Sequence, residues 1–222
     1  MKKKKRFLSA FIIFILLNVP LLFPDHGEKE ALIFQFAFLF KKSDGTGGVV
    51  NPNEQYIDLK TGDNIKIYLK PTTYAYIYLY LHNSEGILSL IFPQTFTFFS
   101  SKYNAGTPYF LPSEERWYRL KEPSGNEEFH LIVSKVRLKE LELLSNRYFS
   151  LKTNKAKEEN ITDAKQDILD TIKDLKIKGS DLVKEDERPV PIPFAGVVRT
   201  LDNEGLEIVV RVIYAKTIRI RH

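Results

Sequence analysis

Pro112-Ser113-Glu114-Glu115-Arg116-Trp117-Tyr118 gathers two adjacent carboxylates, a guanidinium and two aromatic rings in a short stretch. Side chains of these types can grip a sugar or a peptide by ring stacking and hydrogen bonding. The same pattern also fits a turn in which Trp117 plugs the core while Glu114, Glu115 and Arg116 face water. His130 lies within an alternating run, facing opposite to Phe129 and Leu131, and could form an acid/base unit with Glu127 or Glu128. It equally fits a strand histidine held by one hydrogen bond. A glycan- or peptide-acting hydrolase built from Glu114, Glu115 or Glu127 with His130 requires two carboxyl groups about 5 to 9.5 Å apart in a cleft.

Other chemistries find little support. The chain has no Cys and four His, at positions 26, 82, 130 and 222, which removes disulfides, thiolate metal sites, a cysteine nucleophile and a lipidated cysteine. No Gly-x-Ser-x-Gly elbow and no His-Glu-x-x-His helix occurs. Asp44-Gly45-Thr46-Gly47-Gly48 lacks the Lys-Ser/Thr that completes a phosphate loop, and reads as a turn needing positive φ. Asp163, Asp167, Asp170 and Asp174 share one helical face. Carboxylates about 5 to 6 Å apart along a helix wrap a calcium ion poorly, and Lys165, Lys173 and Lys176 interleave with them, so a solvated face is expected. Arg211, Arg219, Arg221 and His222 near the end of the sequence read as the polar face of an edge strand. No catalytic residue, cofactor or metal is expected.

The 222 residues carry 33 cations against 28 anions, a formal charge of +5. Lys2 to Arg6 are consecutive cations followed by the apolar stretch Phe7 to Phe23, the n-region and h-region of an export signal. Seventeen helical residues reach about 25 Å against a hydrocarbon core of about 30 Å. Both a cleaved signal and an uncleaved inner-membrane anchor fit. Beyond residue 24 the chain balances 28 cations with 28 anions, and the case for a nucleic-acid partner goes with the excess.

The elements that would position these residues are mostly strands. Phe34, Phe36, Phe38 and Phe40 alternate with Ile33, Gln35, Ala37 and Leu39. Ile65, Ile67 and Leu69 alternate with Lys66, Tyr68 and Lys70, predicting a strand with one wet face. Tyr74, Tyr76, Tyr78 and Tyr80 oppose Ala75, Ile77, Leu79 and Leu81, so both faces of that strand are expected to be covered. Ile87 to Phe92 and Glu128 to Ser134 follow turn signals. After Ser134 the period becomes helical over Arg137 to Asn146 and again from Asp163 to about Lys178, with a flexible connection expected at Lys152 to Asn160. Asp186 to Phe194 reads as stiff and extended, and further strands follow. The expected class is mainly β (α+β): an antiparallel β-sandwich or partly open barrel with two short accessory helices.

The stretch from about Gln55 to Leu144 resembles a bacterial domain-of-unknown-function family, number 4384. The matching residues are Leu59-Lys60-Thr61-Gly62-Asp63 with Tyr68 and Pro71, then Ser84-Glu85-Gly86 and Leu90-Ile91-Phe92-Pro93. Asn104-Ala105-Gly106, Leu111-Pro112, Pro123-Ser124-Gly125-Asn126-Glu127-Glu128-Phe129 and Ile132-Val133-Ser134 continue the series. The resemblance implies an exported or accessory β-domain, seen elsewhere fused to caspase-like peptidases and protein kinases, and implies no catalytic residues.

The expected organisation is a signal peptide or membrane anchor at 1–24, a β-rich domain at 25–150, a charged linker and amphipathic helix at 151–190, and strands at 191–222 joining the main sheet. The expected role is an extracytoplasmic, non-catalytic binding or assembly module for an envelope protein or glycan. Its candidate ligand contacts are Glu114, Glu115, Arg116, Trp117, Tyr118 and His130. A hydrolase and a purely structural accessory subunit are the alternatives. No nucleic acid is expected, and the membrane is touched only through residues 7–23 if they are retained.

Overall fold

The structure, a computed structural model, describes residues 31–50, 53–101, 103–181, 184–192 and 204–222. The export signal or anchor at 1–24, and the expected strand over Gly196 to Leu201, lie outside these residues. The strands are β1 (Leu32–Lys41), β2 (Gly47–Val49), β3 (Ile57–Asp58), β4 (Asn64–Pro71), β5 (Tyr76–His82) and β6 (Leu88–Phe92). They continue with β7 (Tyr109–Leu111), β8 (Tyr118–Arg119), β9 (Asn126–Ser134), β10 (Lys184–Pro191), β11 (Glu204–Val210) and β12 (Ile213–Arg221). Three helices accompany them: α1 (Phe98–Ser101), α2 (Lys139–Thr153) and α3 (Glu158–Asp181).

Two sheets pack face to face. One runs β10-β11-β1-β4-β7, with β2 on β1 and β8 on β4; the other runs β3-β12-β9-β5-β6. The pairings are antiparallel apart from β3 on β12. Period-two alternation sets the inner layer. Phe34, Phe36 and Phe38 stand opposite Leu69 and Ile67 on β4 and Ile208 and Leu206 on β11, and all three rings are buried. Ring pairs bridge the sheets, among them Phe38 edge-on to Phe129 at 5.4 Å and Phe34 to Tyr214 at 5.1 Å. Burial of each such ring contributes about 1.5 to 3 kcal/mol.

The outer face of β4 corrects the expected wet face, since Lys66 is 2% and Tyr68 0% exposed. Ala37, Leu39 and Ile192 pack against Tyr68, with Val49, Phe110 and Trp117 closing the layer. The cover is made of loop and strand residues. On the same face Tyr68 Oη donates to Gln35 Oε1 at 3.2 Å, and Gln35 Nε2 donates to Glu207 at 2.8 Å. Arg188 Nε completes the chain by donating to Glu207 at 2.8 Å.

The helices are more extensive than expected. Among the described residues there are three, and α3 spans 24 residues. α2 runs to Thr153 and α3 begins at Glu158, which leaves residues 154–157 as the connection where a flexible one over Lys152 to Asn160 was expected. Lysine and glutamate are good helix formers, so the charged stretch extends both helices. Lys155, at φ 51, takes the left-handed conformation that ends the first. Leu141, Ser145 and Tyr148 of α2, and Ala164, Ile168 and Ile172 of α3, are the buried stripes.

Asp186 to Pro191 is extended, but as a sheet member: β10 pairs with β11 from Lys184 to Pro191. It ends the sheet order, the position where Pro189 and Pro191 cost no ladder partner. β12 is not the edge strand expected from its charges. It lies between β3 and β9, and its cations bond to those neighbours: Arg219 Nε to Glu128 at 2.8 Å and Arg221 Nε to Asp58 at 2.7 Å. β11 and β12 thus enter different sheets.

Candidate functional site

The cluster at 114–118 does not act as a unit. β8 begins at Tyr118, and strand alternation sends neighbouring side chains apart. Trp117 turns to the outer face, where Lys66 Nζ lies 4.9 Å from its ring centre and donates to the Glu114 carbonyl. Burial lowers the Lys66 pKa, with Glu114 and Glu115 partly opposing it. Tyr118 turns inward and packs on the main core. Glu114, Glu115 and Arg116 are exposed, and Arg116 bends back to Ser113 Oγ through its backbone N at 3.2 Å.

His130 is elsewhere. On β9, Glu127 and Phe129 face the sandwich interior while Glu128 and His130 face the helices, so Glu127 and His130 stand on opposite faces. His130 Nδ1 is 3.0 Å from Thr217 Oγ1, and Lys176 Nζ of α3 donates to the same hydroxyl at 2.9 Å. His130 Nε2 has no hydrogen-bond partner and lies 3.8 Å from Glu128. Burial is the main cause of a pKa pushed down to about 4; Glu128 opposes it, and Lys176, His82 and Arg219 add to it. A neutral imidazole sealed under α3 serves packing. The paired carboxyl groups that a glycosidase needs are not assembled around it.

The four aspartates of α3 are exposed. Asp167 meets Arg147 at 3.2 Å and Asp170 accepts from Gln166 at 3.0 Å. Among the described residues no group of three metal-ligating side chains converges, and no helix is long and apolar enough to cross a membrane.

What the fold does assemble is a hollow at one side of the sandwich, between β4 and β8 of one sheet and β5, β6 and β9 of the other. Its volume is about 240 Å³. Ile65, Leu81, Ile91, Tyr118 and Phe129 form apolar walls, and Asn83, Glu85, Arg119, Lys121 and Glu122 stand round them. Glu127 is 8% exposed. Its Oε1 takes Ser84 Oγ at 3.2 Å and lies 3.3 Å from His222 Nε2.

Turns fix this rim. Gly125 and His222 exchange backbone hydrogen bonds at 2.8 and 3.0 Å, and Ser84 Oγ donates to the Pro123 carbonyl at 3.0 Å. A Cβ on Gly125 would fall 2.7 Å from the Ser84 Cβ. Gly62, at φ +96, turns the chain so that its N–H reaches the Leu120 carbonyl at 2.9 Å. Of the cavity, the sequence pointed to Tyr118 and Glu127. Ile65, Leu81, Ile91 and Phe129 looked like ordinary core, and the nearby glycine turns were the available signal.

The architecture is that of a mainly β protein: two packed sheets, mostly antiparallel, with no closed barrel and a small cavity at one side. Residues 58–137 match the family described as Domain of unknown function (DUF4384). That match begins at β3 and ends just before α2, and so leaves out β1, β11 and β12. No curated protein and no solved structure matches the chain.

Proposed function

We propose that this protein is an exported, non-catalytic binding or assembly module of the cell envelope, with a partner protein or glycan as its ligand. The observation that carries this reading is the hollow of about 240 Å³, with apolar walls, a polar rim and its turns pinned by hydrogen bonds. Such a concavity recognises a side chain or a ring. The envelope location rests on Lys2 to Arg6 and the apolar stretch after them.

The test is a photo-crosslinking amino acid at Tyr118, on the cavity wall, compared with one at the exposed Glu140 of α2, in cells that make the full chain. A discrete envelope adduct from position 118 and none from position 140 is expected. Equal adduct patterns would overturn the reading, and so would hydrolysis of glycosides or peptides by the purified protein that Glu127→Gln abolishes.

A further inference from the structure

We infer that the partner is a peptide, and that an extended segment of it adds as a strand to the edge of β6. The inference rests on the binding-module reading and names the ligand class. β6 ends the order β3-β12-β9-β5-β6, and an edge strand directs half of its backbone N–H and C=O groups outward, an array that a second backbone completes. The other outer strands serve less well: β10 carries Pro189 and Pro191, and β2, β3, β7 and β8 have three, two, three and two residues.

Register gives β6 its second qualification. Leu88 and Leu90 stand opposite His82 and Tyr80 and so face the helices. The pairing then skips Ile91, the extra residue of a bulge, which turns to the inner cavity. β6 is therefore the seam between two hollows, the inner one of about 240 Å³ and a groove of about 650 Å³ on the helix side. Phe96 and, from α2, Phe149 and Lys152 help to form that groove.

A strand laid along β6 sends alternate side chains into these two hollows, the arrangement by which strand addition combines affinity from the main chain with specificity from side chains. Five residues of β6 span roughly 17 Å, enough to pair four or five residues of a partner. An apolar partner side chain meets Ile91 and Leu81 within. On the helix side Lys152 is the charged residue of the groove lining and selects an acidic neighbour. A glycan has no row of amides at strand spacing to offer, so the edge favours a peptide.

The full chain is panned against a phage library of linear peptides, and the enriched peptides are resynthesised with N-methyl groups at one or the other alternate set of residues. This leaves the protein's own folding untouched. Alternating apolar and polar peptides are expected, losing roughly tenfold in affinity on N-methylation of one set only. Hydrogen exchange at Leu88–Phe92 should slow on binding, and Lys152→Glu should weaken acidic peptides by about fivefold. Strand addition is overturned by an enriched set without alternation, by tolerance of N-methylation in both sets, or by unchanged exchange at β6. A glycan retained by the chain with unchanged exchange at β6 overturns it too, while leaving the binding-module reading standing. Equal crosslinking from positions 118 and 140 overturns the binding-module reading, and with it the inference that rests on it.

Discussion

Tyr78 and Glu142 meet at 2.7 Å in the interior, where the phenol of a central strand donates to a carboxylate of α2. The same phenol accepts the Leu138 backbone N–H at 3.0 Å, and Glu142 accepts Arg137 Nε at 3.0 Å. Beside them Tyr80 Oη and Ser145 Oγ are 2.8 Å apart. The tyrosine face of β5 thus fastens α2 by polar contacts in which the buried groups named have partners, as burial demands.

Tyr78→Phe should lower stability by about 1 to 3 kcal/mol, because it leaves Leu138 N–H without this acceptor and removes one donor from Glu142. Urea unfolding measures this directly. A change within error would mean that α2 is held by its apolar stripe alone.

His130 makes stability fall in acid. Its folded pKa of about 4 lies below the ordinary 6.5, so between these values the unfolded chain takes the proton first. The contribution is complete above about pH 6.5 and is lost as pH drops toward 4, by up to roughly 3 kcal/mol. His130→Asn should flatten the difference between urea midpoints measured at neutral pH and at about pH 4.5; an equally steep profile in the variant would assign the acid sensitivity elsewhere.

Gly125→Ala should cost about 1 to 3 kcal/mol through overpacking against Ser84. Adding Ser84→Gly removes the Cβ 2.7 Å away and should restore much of the loss in a double-mutant cycle. Additive losses would show that the Ser84 contact is not what excludes a side chain at position 125.

The excised family match, residues 58–137, should not fold. It lacks β1, which lies between β4 and β11, and with it the rings of Phe34, Phe36 and Phe38. Loss of one buried Phe to Ala costs about 3 to 5 kcal/mol, and this cut removes three together. Sharp, dispersed amide resonances from the fragment would contradict the prediction.

Period-two patterning exposed the strands at Phe34–Phe40 and Tyr76–Tyr80 because the rule that makes it is local: successive side chains point to opposite faces. Which faces stay wet is not local. Lys66 and Tyr68 looked solvated, and their cover comes from Trp117, Phe110 and Ile192, far along the chain. β12 looked like an edge because its charges were legible while the parallel approach of β3 was not. The cluster at 114–118 was read as one patch, yet adjacency in sequence is separation across a strand. The seam at β6 follows from sheet order, which no short run of residues records.

The pairing of β1 with β11, Leu32 against Val210 and Phe36 against Leu206, governs when this molecule can acquire its shape. Synthesis delivers β1 early and β11 late, and until both are present the phenylalanine row lacks one of its two neighbours. Closing so long a loop is slow, so the core completes only after nearly all of the chain described here has been made. If the chain is exported as proposed, that delay would keep it in the unfolded state that passage through a translocation channel needs.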